Sequence, residues 1–124
     1  MLKGKIFSGT GLGEKFLKLI WVKNQIQEKL GFNPYPGTLN ILLSEKSLEF
    51  TNFLKNKNCT RIMPADGFCY GLIIPTLITS QKCAIIVPVV ANYPENVIEI
   101  IAPMNLRISL NLKDDDEVLV HLCL

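Results

Sequence analysis

The sequence predicts a mainly β fold: a single domain spanning residues 1–124, with about six strands and one main α-helix after the first strand. Three observations carry this. Six short runs, "GKIFSG", "TLNILL", "GFCYGLIIPTLI", "KCAIIVPVV", "VIEIIAP" and "EVLVHLCL", carry strand-type residues, the later four being rich in Ile and Val between Pro, Gly, Asn or Asp. Only one segment repeats its apolar residues at helical spacing. Many short strands in a chain of 124 residues favour a closed barrel, because closure removes exposed edges.

Taken in order, "GKIFSG" is the first strand, and "SGTGLGEK" is a loop. From Glu14 to Leu30, residues Phe16, Leu19, Ile20, Val22, Ile26 and Leu30 fall near one helical face, and Gly31 ends the helix as a C-terminal glycine does. In "NPYPGTLNILL", Pro34 and Pro36 fix φ, and Gly37 allows a backbone shape that other residues resist. This stiff turn feeds a strand in which Thr38 and Asn40, two apart, share a face. Residues 44–58 are polar with Leu48, Phe50 and Phe53 as anchors, a short helix or a loop. Pro75 and Pro88 interrupt apolar runs, which suits strand ends, edges or bulges. "LNLKDDDEVLV" sets an acidic turn between two strand-like pieces, and Asp tolerates positive φ there.

Charge and composition narrow the classes. A net charge of +2 gives no basic footprint for nucleic acid. The apolar run "CAIIVPVVA" is far too short to span a bilayer, and the N-terminus lacks an apolar signal core, so a cytoplasmic protein is expected. Cys59, Cys69, Cys83 and Cys123 form no C-x-x-C pair, and His121 is the single histidine, so a zinc site lacks its usual spacing. Reduced structural cysteines are expected.

Several stretches could carry chemistry. Gly9, Gly11 and Gly13 could turn backbone N–H groups inward as an anion nest, with the following helix pointing its positive end there and Lys15 adding charge. The spacing is neither a Walker A loop nor the dinucleotide fingerprint; a flexible connector is the alternative. Arg107, between apolar residues in "APMNLRISL", offers a donor fork suited to phosphate, or snorkels from a strand or turn. Glu99 in "VIEIIAP" faces solvent by alternation or is held in a site as a general base. Thr38 and Asn40 are neutral oxygen ligands, or simply part of a stiff strand entry. Asp114, Asp115, Asp116 and Glu117 form an acidic cluster in an apparent hairpin turn, better read as solvated than as a metal site. Trp21, Tyr35, Tyr70 and Tyr93 could stack on a flat ring, although Trp21 on the helix more often packs.

In order, "GKIFSGTGLGEKF", "LGFNPYPGTLNI", "VPVVANYPENVIEIIAP" and "MNLRISLNLKDDDEVLV" resemble the archaeal CTP-dependent riboflavin kinases. The resemblance covers most of the chain and is weakest over residues 44–82. It implies a six-stranded cradle-loop (RIFT-type) β-barrel, in the stand-alone form without a helix-turn-helix domain. It implies transfer of the γ-phosphoryl of CTP to the 5′-hydroxyl of riboflavin, giving FMN and CDP, with one Mg²⁺ per site. The small molecules riboflavin and CTP would be its partners, with no nucleic acid, no membrane and a monomeric state expected. Residue by residue, it implies nucleotide binding by Thr10, Gly11, Leu12, Gly13, Glu14 and Lys15, and by Asn105, Leu106, Arg107 and Ile108. Thr38 and Asn40 match its Mg²⁺ ligands, and Glu99 matches a flavin-side contact and is the candidate catalytic residue. Three departures stand out. Ala91 replaces a threonine frequent near the flavin phosphate, Asp115 replaces the glycine of an Asp-Gly-Asp turn, and Asn105 and Ile108 replace more polar residues. The alternative reading is a non-catalytic small barrel, of flavin-binding or swapped-hairpin DNA-binding type.

Overall fold

Antiparallel pairing of successive neighbours closes the sheet on itself. The computed structural model describes residues 1–8, 19–47, 60–62, 71–88 and 95–123. Its strands are β1 (Leu2–Phe7), β2 (Leu39–Leu43), β3 (Thr60–Ile62), β4 (Gly71–Ile78), β5 (Gln81–Pro88), β6 (Val97–Ile101) and β7 (Glu117–Leu122). Helix α1 (Ile20–Leu30) lies between β1 and β2, and the one-turn helix α2 (Leu106–Ser109) between β6 and β7. Six strands form an antiparallel barrel in the order β4-β5-β6-β2-β1-β7, closed by the return of β7 to β4. The six-stranded barrel read from the sequence is therefore observed, with β3 as an additional short strand outside the closed circuit.

One edge of β4 is shared between two partners. Gly71, Leu72 and Ile73 pair with β3, whereas Thr76 and Leu77 pair with β7. Pro75 sits at the changeover, where its missing N–H costs no ladder bond on that edge, and its carbonyl accepts from the Cys123 N–H at 2.9 Å. Pro75 is thus central along its strand yet at a break in edge pairing. Pro88 is the last residue of β5, as expected of a strand end.

Inward residues fill the barrel. Leu2, Ile6, Leu39, Ile41, Leu43, Ile74, Ile85, Ile98, Ile100 and Val120 are all buried in one cluster, and Leu106 of α2 belongs to it. Thr76 and Cys83, cross-strand neighbours, satisfy each other inside at 3.2 Å. Gly4 faces the interior where the backbone of β2 passes closest. A Cβ there would lie 2.5 Å from both Ile41 Cγ2 and the Leu42 carbonyl oxygen. A second layer covers the outside of β4, β5 and β6: Val22 and Ile26 of α1 pack on Ile73, Ala84, Ile86 and Ile101. Both faces of β5 are therefore dry, which explains why "CAIIV" reads as a continuous apolar run rather than an alternating one. Full burial of Val22 and Ile26 contributes about 1.5–3 kcal/mol each before entropy is counted.

Three expectations need correction. The helix is not continuous from Glu14 to Leu30: Leu19 is extended, with φ −73° and ψ 129°, the described helix starts at Ile20 with no side-chain cap, and residues 14–18 lie outside the described residues. Its other end is as expected, with Gly31 at φ 78° donating to the Gln27 carbonyl at 3.0 Å. Gly37 does not take the left-handed conformation, which among the described glycines only Gly31 adopts. The segment before the acidic turn is α2 and irregular chain, not a strand, so that turn is no hairpin. It is stitched to β1 instead, by Asp115 N–H to the Ile6 carbonyl at 2.7 Å and Ile6 N–H to the Asp116 carbonyl at 2.9 Å. Asp115 does take positive φ, 72°, as its place in the turn suggested. Of the unassigned stretch 44–58, residues 48–58 lie outside the described residues. Among the described residues no helix is long and apolar enough to cross a membrane.

Candidate functional site

The proline turn is held by the few donors it has. Pro34 and Pro36 carry no N–H, so Tyr35 and Gly37 supply the donors of this stretch. Tyr35 N–H donates to the Ala102 carbonyl at 2.7 Å, and Gly37 N–H to the Tyr35 carbonyl at 2.8 Å. The turn is thereby pinned to the end of β6, and Thr38 emerges beside that strand.

There Thr38 meets Glu99. Its hydroxyl donates to Glu99 Oε1 at 2.8 Å. Asn40 is directly opposite Glu99 in the β2–β6 register, and Ile86 is opposite it on β5. Alternation does turn Glu99 outward, since Ile98 and Ile100 face the core. Solvent does not reach it, however: Glu99 is only 2% exposed. The alternation reading thus had the direction right and the environment wrong, because the outside of this part of the barrel is covered. A hydroxyl, a carboxamide and a carboxylate are gathered at one place on β2 and β6. Since the hydroxyl hydrogen of Thr38 is committed to Glu99, its oxygen keeps lone pairs for a hard cation.

Thr38 also lines a cleft at the barrel mouth, together with Tyr35, Gly37, Met104, Asn105 and Arg107. Asn105 builds the cleft wall by capping α2, its Oδ1 accepting from Ile108 N–H at 3.2 Å while its Nδ2 donates to Tyr35 Oη at 3.4 Å. Leu106 points into the core and anchors the turn. Arg107 is carried on this helical turn rather than on a strand. Its Nη2 donates to the Phe7 carbonyl at 3.2 Å and to Asp114 Oδ1 at 2.7 Å. Asp114 also accepts from Ser8 Oγ, at 3.1 Å through Oδ2. The Arg107 hydrogen bond, followed by that from Ser8, holds the Asp114 carboxyl below its ordinary range.

The structure therefore brings Thr38, Asn105, Leu106 and Arg107 to one cleft, with Glu99 joined through Thr38 and Asn40 beside Glu99. Ile108 does not line it and is 79% exposed. Thr10, Gly11, Leu12, Gly13, Glu14, Lys15 and Ala91 lie outside the described residues, as do Tyr70 and Tyr93. Ser8, which begins the glycine-rich segment, is placed beside Asp114. Two features escaped the sequence reading. Asn105 ahead of a short apolar turn is a helix-start signal that could have been used. The Arg107–Asp114 pair leaves no signal, because residues seven apart meet only through the path of the chain. Among the described residues no cluster of His, Cys, Asp or Glu is arranged to hold a metal by itself. The acidic turn is largely exposed and tied by hydrogen bonds from Arg107 and Lys113.

Known proteins resemble the chain across this whole framework. The family model CTP-dep_RFKase, described as "Domain of unknown function DUF120", matches residues 6–122. A protein of Ignicoccus hospitalis named "Riboflavin kinase" is 41% identical over 121 residues, covering 94% of this chain and 68% of that protein. One of Methanosarcina barkeri with the same name is 41% identical over 125 residues, covering 98% of this chain and 56% of its own length. A third, of Staphylothermus marinus, is 38% identical over 122 residues, covering 97% of this chain and 91% of its own. The chain thus spans between about half and nine-tenths of the length of these relatives. Matched from the end of its first strand to the end of its last, the chain belongs to the family of archaeal riboflavin kinases described by that model.

Proposed function

We propose that this chain is a riboflavin kinase that transfers the γ-phosphoryl of CTP to the 5′-hydroxyl of riboflavin. The observation that carries the reading is the joining of Thr38, Asn40 and Glu99 beside a cleft that also holds Arg107, in a chain of this family. The relatives' shared name supports the acceptor. The family's label supports the donor.

Phosphoryl transfer needs positioning and charge neutralisation more than covalent help. The oxygen set suits Mg²⁺: this ion takes one or two protein ligands and leaves the rest to phosphates and water. Thr38 and Asn40 would hold it, and the ion would draw charge from the β- and γ-phosphates. Arg107, which lines the same cleft as Thr38, offers its planar donors to the nucleotide. The N–H groups of residues 10–15 would cradle its phosphates. Glu99 orients the ribityl hydroxyl and accepts its proton as the oxygen attacks the γ-phosphorus. The bond from that phosphorus to the bridging oxygen breaks, and CDP leaves.

The test is chromatographic. Purified protein is incubated with riboflavin and Mg²⁺, with CTP or ATP in parallel, and FMN is separated from riboflavin. FMN with CTP and little with ATP is the expected result. Folded protein that makes no FMN with either nucleotide would overturn the reading. Asn40→Ala should cost far more turnover than Glu117→Ala; equal effects would remove the metal-ligand assignment.

A further inference from the structure

We infer that Asp114 is a positioning residue for the nucleotide, fixing the Arg107 guanidinium and the start of the glycine-rich segment in one arrangement. This rests on the nucleotide-site reading above and adds a residue that reading does not use.

The geometry is built rather than incidental. Arg107 Nη2 is gripped from two sides, by Asp114 Oδ1 at 2.7 Å and by the Phe7 carbonyl at 3.2 Å. Among the described residues nothing else hydrogen-bonds the guanidinium, and Arg107 lines the cleft. The same carboxylate receives Ser8 Oγ at 3.1 Å, so one side chain ties α2 to the exit of β1. The turn presenting Asp114 is itself rigid. Lys113 N–H donates to Asp116 Oδ2 at 2.8 Å, and Asp115 and Asp116 are bonded to the backbone of Ile6.

Arginine has many rotamers, and a ligand that must order it loses affinity to that ordering. Asp114 orders it beforehand. An exposed ion pair adds little to folding, so the effect belongs in binding. The opposite physical account is also definite. A carboxylate merely close to an anion site repels phosphates, and removing its charge tightens binding. The two accounts predict opposite signs for one isosteric change.

The experiment is calorimetric titration of CTP with Mg²⁺, without riboflavin, into the wild type and Asp114→Asn. A CTP dissociation constant raised about three- to fivefold is expected, the range of a lost surface ion pair. KM for CTP should rise with it, and KM for riboflavin should not. In the Arg107→Ala background the Asn substitution should cost less than in the wild type, since one of its two partners, Arg107, is gone and only Ser8 remains. Unchanged or tighter CTP binding by Asp114→Asn overturns the inference. Should that variant not fold, Ser8→Ala keeps the Arg107 pair and releases only the segment start; weaker CTP binding supports the inference and unchanged binding overturns it. Wild-type protein that binds no nucleoside triphosphate overturns the nucleotide-site reading itself, whereas binding by the wild type with an unaltered variant removes Asp114 alone.

Discussion

Replacing Thr38 by Val should lower folding stability by about 2 kcal/mol, the central value for a hydrogen bond to an ionised group. The perturbation is nearly isosteric, so it opens no cavity and isolates the hydroxyl. What it leaves is a carboxylate at 2% exposure that has lost a donor at 2.8 Å. A surface hydroxyl would cost little, because water would replace it; Glu99 is too well covered for that to be easy. Thr38→Ser keeps the donor and should stay within about 0.5 kcal/mol of the wild type. Equilibrium urea unfolding measures both, and the valine variant should melt about 5–10 °C lower for a chain of this size. A valine variant as stable as the wild type would refute the reasoning, since the carboxylate would then have to be solvated or fully satisfied by other groups. The same protein, assayed for Mg²⁺ dependence, should need more of the ion, because the hydroxyl is also a proposed ligand.

Three further outcomes follow from the backbone and the charges. Gly4→Ala should destabilise by about 2–3 kcal/mol, because its Cβ would lie 2.5 Å from the Leu42 carbonyl oxygen, which cannot move aside as a side chain can; urea unfolding checks this. Thr79 and Ser80 turn the β4–β5 hairpin at φ 48° and 66°, so Thr79→Asn with Ser80→Gly should raise stability by about 1 kcal/mol, read as an increase in Tm. Asp114 has its carboxyl pKa lowered from 3.8, so its contribution is present above that pH and is lost as pH falls through the lower folded value. An acid titration of stability should therefore be shallower below pH 3.8 in Asp114→Asn than in the wild type.

How legible each part was follows from its physics. Strands β4 to β7 were readable because Ile and Val runs between breakers are a local signal. The end of α1 was readable because Gly31 takes an αL conformation that few other residues accept. The start of α1 was not, because Phe16 and Leu19 continue the apolar spacing past the point where Leu19 becomes extended. The grouping of Thr38 with Asn40 came from period-two spacing alone. Their meeting with Glu99 depended on register, which joins residues 61 apart and leaves no local trace. The burial of Glu99 was hidden for the same reason: alternation gives a side chain's direction, and only the whole fold says whether that direction meets water. Likewise the acidic run is exposed as it read, but the hydrogen bonds of Asp114 to Ser8 and Arg107 left no local trace in it.

The shared edge of β4 has a kinetic consequence. The barrel's last seam is held by the pairs Thr76↔Leu122 and Leu77↔His121, with the bond from Cys123 to Pro75 beside them. On its other side β7 pairs with β1, matching Leu2 with Val120. The final strand must therefore find both the first strand and the middle of the chain, and such distant pairings form slowly. Folding should wait on the arrival of β7. In the finished protein, amide exchange should be faster across the short β4–β7 seam than in the long β4–β5 ladder, making that seam the place where the barrel first opens.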